Sequence, residues 1–236
     1  MLAQAKKLEQ KLLKNKDAKK SKILSRYFKT GPGDYGEGDI FLGISVVDQR
    51  KIIKDFLDLS LEDLQKFLNS KIHEFRFSAL IILIKKYQLA SIGDKKKIVA
   101  FYLKNIKNIN NWDLVDVSCY NILGNYLYSR NRKTLYNLAI SKNLWSRRIS
   151  IVSTFYFIKN NDLDDTFKIS QILIKDQHDL IHKAVGWMLR EAGNRDQNRL
   201  KAFLIDNGRI ISRTTLRYAI EKFNEAERKR FLKNNF

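Results

Sequence analysis

The chain has 236 residues, 44% of them apolar, which is the composition of a globular protein and excludes a disordered one. No run of about 18 or more apolar residues occurs, so no membrane helix is expected. Lys and Arg total 45 against 25 Asp and Glu, a net charge of +20. Such a surplus bears on partners rather than on fold.

The first segments, Leu2 to Leu13 and Ala18 to Phe28, are amphipathic and are expected to cap one end of the molecule. The residues Met1 to Lys7 lack the apolar stretch of a secretory signal. A loop follows, with five of the ten glycines between Gly31 and Gly43 and the single proline, Pro32. Beyond it the chain reads as helix after helix. Val46 to Leu59 has apolar residues at helical spacing, and Ser60-Leu-Glu-Asp carries a cap followed by acids. Phe75 to Tyr87, Lys95 to Ile106, Trp112 to Tyr128, Arg132 to Ile140 and Trp145 to Ile158 come next. Leu163 to Ile174, Ile181 to Ala192, Gln197 to Ile205, Ser212 to Phe223 and Glu225 to Leu232 complete the series. The breaks are short and built from Asn, Asp, Ser and Gly. No segment alternates apolar and polar residues as paired strands do.

Several helices resemble one another. Arg76-Phe-Ser-Ala-Leu, Arg148-Ile-Ser-Ile-Val, His182-Lys-Ala-Val-Gly and Arg213-Thr-Thr-Leu-Arg each open on a basic residue or His, followed by small and apolar residues. Small residues let stacked helices approach closely, the pattern of HEAT-like pairs. The three tryptophans, Trp112, Trp145 and Trp187, each lie beside a charged residue. They stand 33 and 42 residues apart, close to the roughly 35 to 40 residues of a helical-pair repeat. The expected fold is all-α: one domain over 1–236, an α-solenoid of HEAT-like helical repeats curved around a basic concave groove. The charge surplus, spread along the whole length, points to a nucleic-acid backbone. Anionic lipid and a merely solvated basic surface are the alternatives.

Other patterns carry less. Gly31-Pro-Gly33-Asp-Tyr-Gly36 matches G-x-G-x-x-G, but a helix rather than a strand precedes it, so a dinucleotide site is not expected. The alternatives are a connecting loop or backbone N–H contacts to phosphate beside Lys29. His178 and His182 are spaced i, i+4, yet Asp179 stands where the zincin helix needs Glu, and no metal site is expected. The lone Cys119 sits on an apolar stretch, excludes an internal disulfide and suits a reducing compartment.

Asn110-Asn-Trp112-Asp-Leu-Val-Asp116 is more informative. The asparagines can cap a helix. Spacing i, i+4 then puts the indole of Trp112 and the carboxylate of Asp116 on one face. A carboxylate repels phosphate, so a groove made only to hold DNA would gain by losing it. The alternative is an Asp116 paired with a nearby Lys or Arg and a Trp112 in the core. Trp145-Ser-Arg-Arg148 brings an arginine suited to phosphate. Trp187 has Arg190 three residues on, with a buried packing role as its alternative.

These blocks together resemble the DNA alkylation repair family of HEAT-like repeat glycosylases. The carrying segments are Asn111-Trp112-Asp-Leu-Val-Asp116, Trp145-Ser-Arg-Arg148 and Lys183-Ala-Val-Gly-Trp187-Met-Leu-Arg-Glu191, with Phe41-Leu-Gly-Ile44, Asp48-Gln-Arg50 and Arg26-Tyr27 before them. The likeness covers nearly the whole chain. It implies a solenoid that wraps duplex DNA and removes positively charged alkylpurines such as 3-methyladenine and 7-methylguanine; a non-catalytic DNA-binding relative of the same family and a HEAT-type scaffold for protein partners are the alternatives. It makes Asp116 the catalytic carboxylate, Trp112 and Trp187 the lesion and sugar contacts, and Arg148 and Tyr27 the DNA contacts. It implies catalysis at the sugar without a pocket for the base. The loop Thr30 to Asp39 departs from the family by its length, glycines and acidity, and is expected to touch DNA or to cover part of the groove. The chain is expected to act as a monomer in the bacterial cytoplasm on double-stranded DNA containing alkylated bases, with no cofactor, no metal and no membrane.

Overall fold

The computed structural model describes the backbone of residues 2–233 and the side chains of residues 4–233. Every regular element there is helical, and no strand occurs among the described residues. The architecture is an all-α repeat fold. No described helix is long and apolar enough to cross a membrane. The described residues up to Ser118 form one compact unit and those from Cys119 onward form a second.

The N-terminal unit holds α1 (Leu2–Lys14), α2 (Ala18–Tyr27), α3 (Val46–Ile53), α4 (Leu61–Leu68), α5 (His73–Leu89), α6 (Ile92–Lys104) and α7 (Trp112–Cys119), whose last residue opens the second unit. Side chains fix the starts. Asp17, Ser45, Ser60 and Ser91 each accept a backbone N–H of the first turn that has no partner within the helix. α5 is buried along nearly its whole length, from His73 to Ile84, and forms the core of the unit.

The loop before α3 is held by a buried carboxylate. Glu74 Oε1 accepts the N–H of Gly43 at 2.8 Å and Oε2 that of Leu42 at 2.9 Å. Gly43 has φ +88°, and a Cβ there would stand 2.2 Å from the carbonyl oxygen of Asp17. The block Phe41 to Ile44 is therefore a turn pressed against the start of α2, which only glycine permits. The Gly31 to Gly36 segment precedes no helix or strand, only turns and an isolated bridge between Ile40 and Ile72. The N–H of Gly33 is already given to Glu37 at 3.0 Å.

The C-terminal unit opens with a π-helical segment, Tyr120–Gly124. It continues through α8 (Asn125–Leu127), α9 (Lys133–Ala139), α10 (Leu144–Ser153), α11 (Phe155–Lys159), α12 (Asp164–Leu173), α13 (Asp179–Gly193), α14 (Gln197–Asn207), α15 (Arg213–Ala219) and α16 (Glu225–Leu232). The expected helix Trp145 to Ile158 is divided at Thr154. The small residues do what the repeat pattern demands. A Cβ on Gly186 would meet Tyr218 Cβ at 2.5 Å and the carbonyl of Thr215 at 2.6 Å, so α13 and α15 pack in near-backbone contact.

Candidate active site

In the N-terminal unit, α7 begins where buried Asn111 accepts the backbone N–H of Trp112 at 2.8 Å. Trp112 and Asp116 follow at i, i+4, and both are half-buried. The indole leans on the end of α2. Phe28 stacks on it with centroids 5.2 Å apart, and Tyr27 meets it edge-on at 5.9 Å. Tyr27 itself is 62% exposed. Three of the expected site residues, Tyr27, Trp112 and Asp116, thus share one unit. Two of them are in ring contact, and the third lies one helical turn along α7.

Behind the indole lies a buried polar network. His73 Nε2 meets Asp113 Oδ2 at 2.7 Å, and its Nδ1 faces Asp39 Oδ2 at 3.4 Å. Arg76 donates Nη2–H to Asp39 at 2.6 Å and Nη1–H to the carbonyl of Ser70 at 2.8 Å. Burial opposes a charge on His73, but the hydrogen bond and charge of Asp113, with Asp39 behind, outweigh it and raise its pKa above the ordinary histidine value. Asp39 is held below the usual carboxylate range: burial pushes it up, and His73 and Arg76 overcome that. Asp39 closes the 30–39 loop, so the end of that loop is an anchor in the protein core. Sequence patterns give no sign of this network, because its members are 34 to 40 residues apart.

In the C-terminal unit Trp187 is half-buried with Phe155 at 5.7 Å, and Trp145 is buried in the core. Arg148, expected from the resemblance as a DNA contact, lies on α10. It is 5% exposed and donates Nη1–H to the carbonyl of Leu180 at 2.5 Å. The basic positions of the four similar helices behave alike. Arg76 bonds the carbonyl of Ser70, His182 that of Asp176 at 2.5 Å, and Arg213 that of Leu232 at 2.7 Å. Arg148 and Arg213 reach a carbonyl of another helix, while Arg76 and His182 bond the loop just ahead of their own helix. His178 caps α13 by accepting the N–H of Leu180 at 3.1 Å. Among the described residues no cluster of His, Cys, Asp and Glu could hold a metal ion.

Fold and site together define an all-α repeat protein with a strong positive charge and a partly exposed carboxylate one helical turn from an indole. The family model described as "DNA alkylation repair enzyme" matches residues 8–223. The chain belongs to this family of DNA alkylation repair enzymes. A solved structure, "Predicted DNA alkylation repair enzyme from Enterococcus faecalis", is similar at a TM-score of 0.69 with 16% identity, covering 89% of this chain and 98% of that one. At that identity the likeness speaks for the fold alone. No curated protein matches the chain. Its role is in DNA repair, and DNA is its partner.

Proposed function

We propose that the protein is a monofunctional DNA glycosylase that hydrolyses the N-glycosidic bond of positively charged alkylpurines, such as 3-methyladenine and 7-methylguanine, in duplex DNA. An N3- or N7-alkylated purine is already cationic and leaves without a general acid. The barrier lies at the deoxyribose, which becomes oxocarbenium-like as the C–N bond lengthens. A fixed carboxylate beside the sugar stabilises that charge and orients or deprotonates the attacking water. We assign this role to Asp116, and to the face of Trp112 the attraction of the same developing cation.

The observation that carries the reading is the half-buried Asp116 one turn from Trp112, on a chain of net charge +20. A half-buried carboxylate beside an indole, on a protein of such positive charge, is intelligible if it serves the chemistry. Tyr27, exposed at the end of α2, is proposed as a DNA contact, and Trp187 as the contact supplied by the C-terminal unit. Exposed lysines and arginines hold the phosphates. The burial of Arg148 argues for a structural role there. No step needs a metal or a cofactor. The test is incubation of the protein with methylated duplex and identification of the free bases. Release of 3-methyladenine or 7-methylguanine supports the reading, and intact methylated DNA after prolonged incubation removes it.

A further inference from the structure

His73, at the start of α5, is 3% exposed, and the proposed hydrolysis does not use it. Carboxylates from two different segments engage its two ring nitrogens. Nε2 stands 2.7 Å from Asp113 Oδ2 on α7, and Nδ1 stands 3.4 Å from Asp39 Oδ2 at the end of the 30–39 loop. A neutral imidazole has one N–H and one lone pair, so it donates to one carboxylate and turns its lone pair on the other. An imidazolium donates to both. The geometry is that of a buried cation bridging two anions.

Two routes lead from this ring to the candidate site. The first runs through the backbone of α7. Asp113 follows Trp112 directly, and Asp116 is three residues further on, a neighbour on the helix surface. A carboxylate pinned there fixes the rotation of the helix start that carries both residues. The second route runs through rings. The imidazole lies 4.4 Å from the ring of Phe41 and 5.2 Å from that of Phe28. Phe28 in turn stacks on Trp112 at 5.2 Å, with 21° between the planes. The indole thus rests on a ring that rests on His73.

The charged groups on the surrounding elements are Asp39 from the loop, Glu74 and Arg76 from α5, Asp113 from α7 and Lys20 from α2. Glu74 is committed to the N–H groups of Leu42, Gly43 and Ile44. Arg76 is committed to Asp39 and to the Ser70 carbonyl. Asp113, with Asp39 shared between ring and guanidinium, keeps the proton on His73 against its burial.

We propose that His73 is a positioning residue for base release: as an imidazolium held between Asp39 and Asp113, it keeps the first turn of α7 where Trp112 and Asp116 meet the deoxyribose. The inference rests on the reading of the chain as an alkylpurine hydrolase and deepens it. Loss of the proton leaves one carboxylate facing a lone pair, and one of the two ties to the ring is gone. The helix start is then held less firmly. A misplacement of about 1 Å at a reacting centre costs on the order of 100-fold in rate. Duplex binding, carried by surface cations, stays level.

Single-turnover release of 7-methylguanine from methylated duplex, at saturating protein, is measured from about pH 6 to about pH 9, the range that spans a raised histidine pKa. The His73 ring and the Trp112 indole N–H are titrated by NMR of the full chain over the same range. Release should fall with rising pH at the midpoint where His73 loses its proton, and the indole signal should shift at that midpoint. His73→Gln offers a single donor group. It should lower release about 10- to 100-fold at unchanged duplex affinity and abolish the alkaline fall. Asp39→Asn withdraws one anion and should move the fall to lower pH. Release that stays level through the His73 midpoint, a parent-like rate in His73→Gln, or a fall that persists in that variant overturns the proposal. Should His73→Gln not fold, the midpoints of the parent chain decide. A chain that releases no base at any pH rejects the glycosylase reading. The NMR arm then stands alone: an indole that follows His73 retains the coupling, and one indifferent to it rejects the coupling.

Discussion

Asp113 binds His73 across 2.7 Å from the same helix, α7, that presents Asp116. One turn of helix thus carries an inward carboxylate, which ties α7 to α5 through the imidazole, and a half-buried one three residues later. The first sets the position of α7 and so of the second. Trp112, between the end of α2 and this turn, is fixed from both sides.

Asp116→Asn should lower the release of 7-methylguanine from methylated duplex by about 100- to 1,000-fold, the scale seen when one electrostatic stabiliser is removed. Duplex affinity should hold or rise, since a charge that repels phosphate has gone. Single-turnover release together with a binding titration checks both parts. Undiminished release by this variant would take Asp116 out of the chemistry.

His73 has a pKa raised in the folded state by Asp113 and Asp39. The folded protein then holds a proton that the unfolded chain has released, between the ordinary histidine value and the raised one. That stabilisation is fully present below pH of about 6.5 and is lost as pH rises through the folded pKa. Thermal melts across this window should show stability falling with pH. Asp113→Asn, which removes the main partner, should flatten the fall. An equally steep fall in the variant would assign it to other groups.

Arg148→Ala should destabilise the protein by about 1.5–3 kcal/mol, since a buried charged donor to the Leu180 carbonyl is lost. The dependence of duplex binding on salt should stay as in the parent. A slope smaller by about one phosphate contact would instead return Arg148 to the DNA backbone.

Gly43→Ala should cost about 1–3 kcal/mol or more, because φ +88° is strained for alanine and its Cβ would collide with the Asp17 carbonyl. The turn held by Glu74 would have to open. Hydrogen exchange at Leu42 and Gly43 should accelerate with the drop in melting temperature. Unchanged protection would show that the turn has another anchor.

The helices were legible in the chain because helix signals are local. Ser60 caps where its first-turn acids suggest, and Glu225–Leu232 is a helix with the expected bounds, whereas the helix expected from Lys95 begins at Ile92. The divisions were not. The break at Thr154 has no Gly or Pro signature. Gly124 lies within the π segment, where its missing Cβ admits the Ser153 carbonyl. The site was legible in part. Trp112 and Asp116 needed only the helical period to be placed on one face, and both lie within the residues that the family model matches. The buried network behind the indole was missed, since it is assembled from Asp39, His73 and Asp113, which are 34 and 40 residues apart in the chain.

The order of residues by itself settled the helical class, the caps, the close approach at Gly186 and the Trp112–Asp116 pair. All of these follow from contacts within a turn of helix or from the size of one side chain. Only the tertiary structure decided which charges face inward. An arginine at the start of a helix can meet water, a phosphate or a carbonyl with the same periodicity, and the burial of Arg148 against Leu180 depends on where a neighbouring helix begins. The same holds for His73, whose partners at Asp39 and Asp113 exist because three distant segments converge in the core.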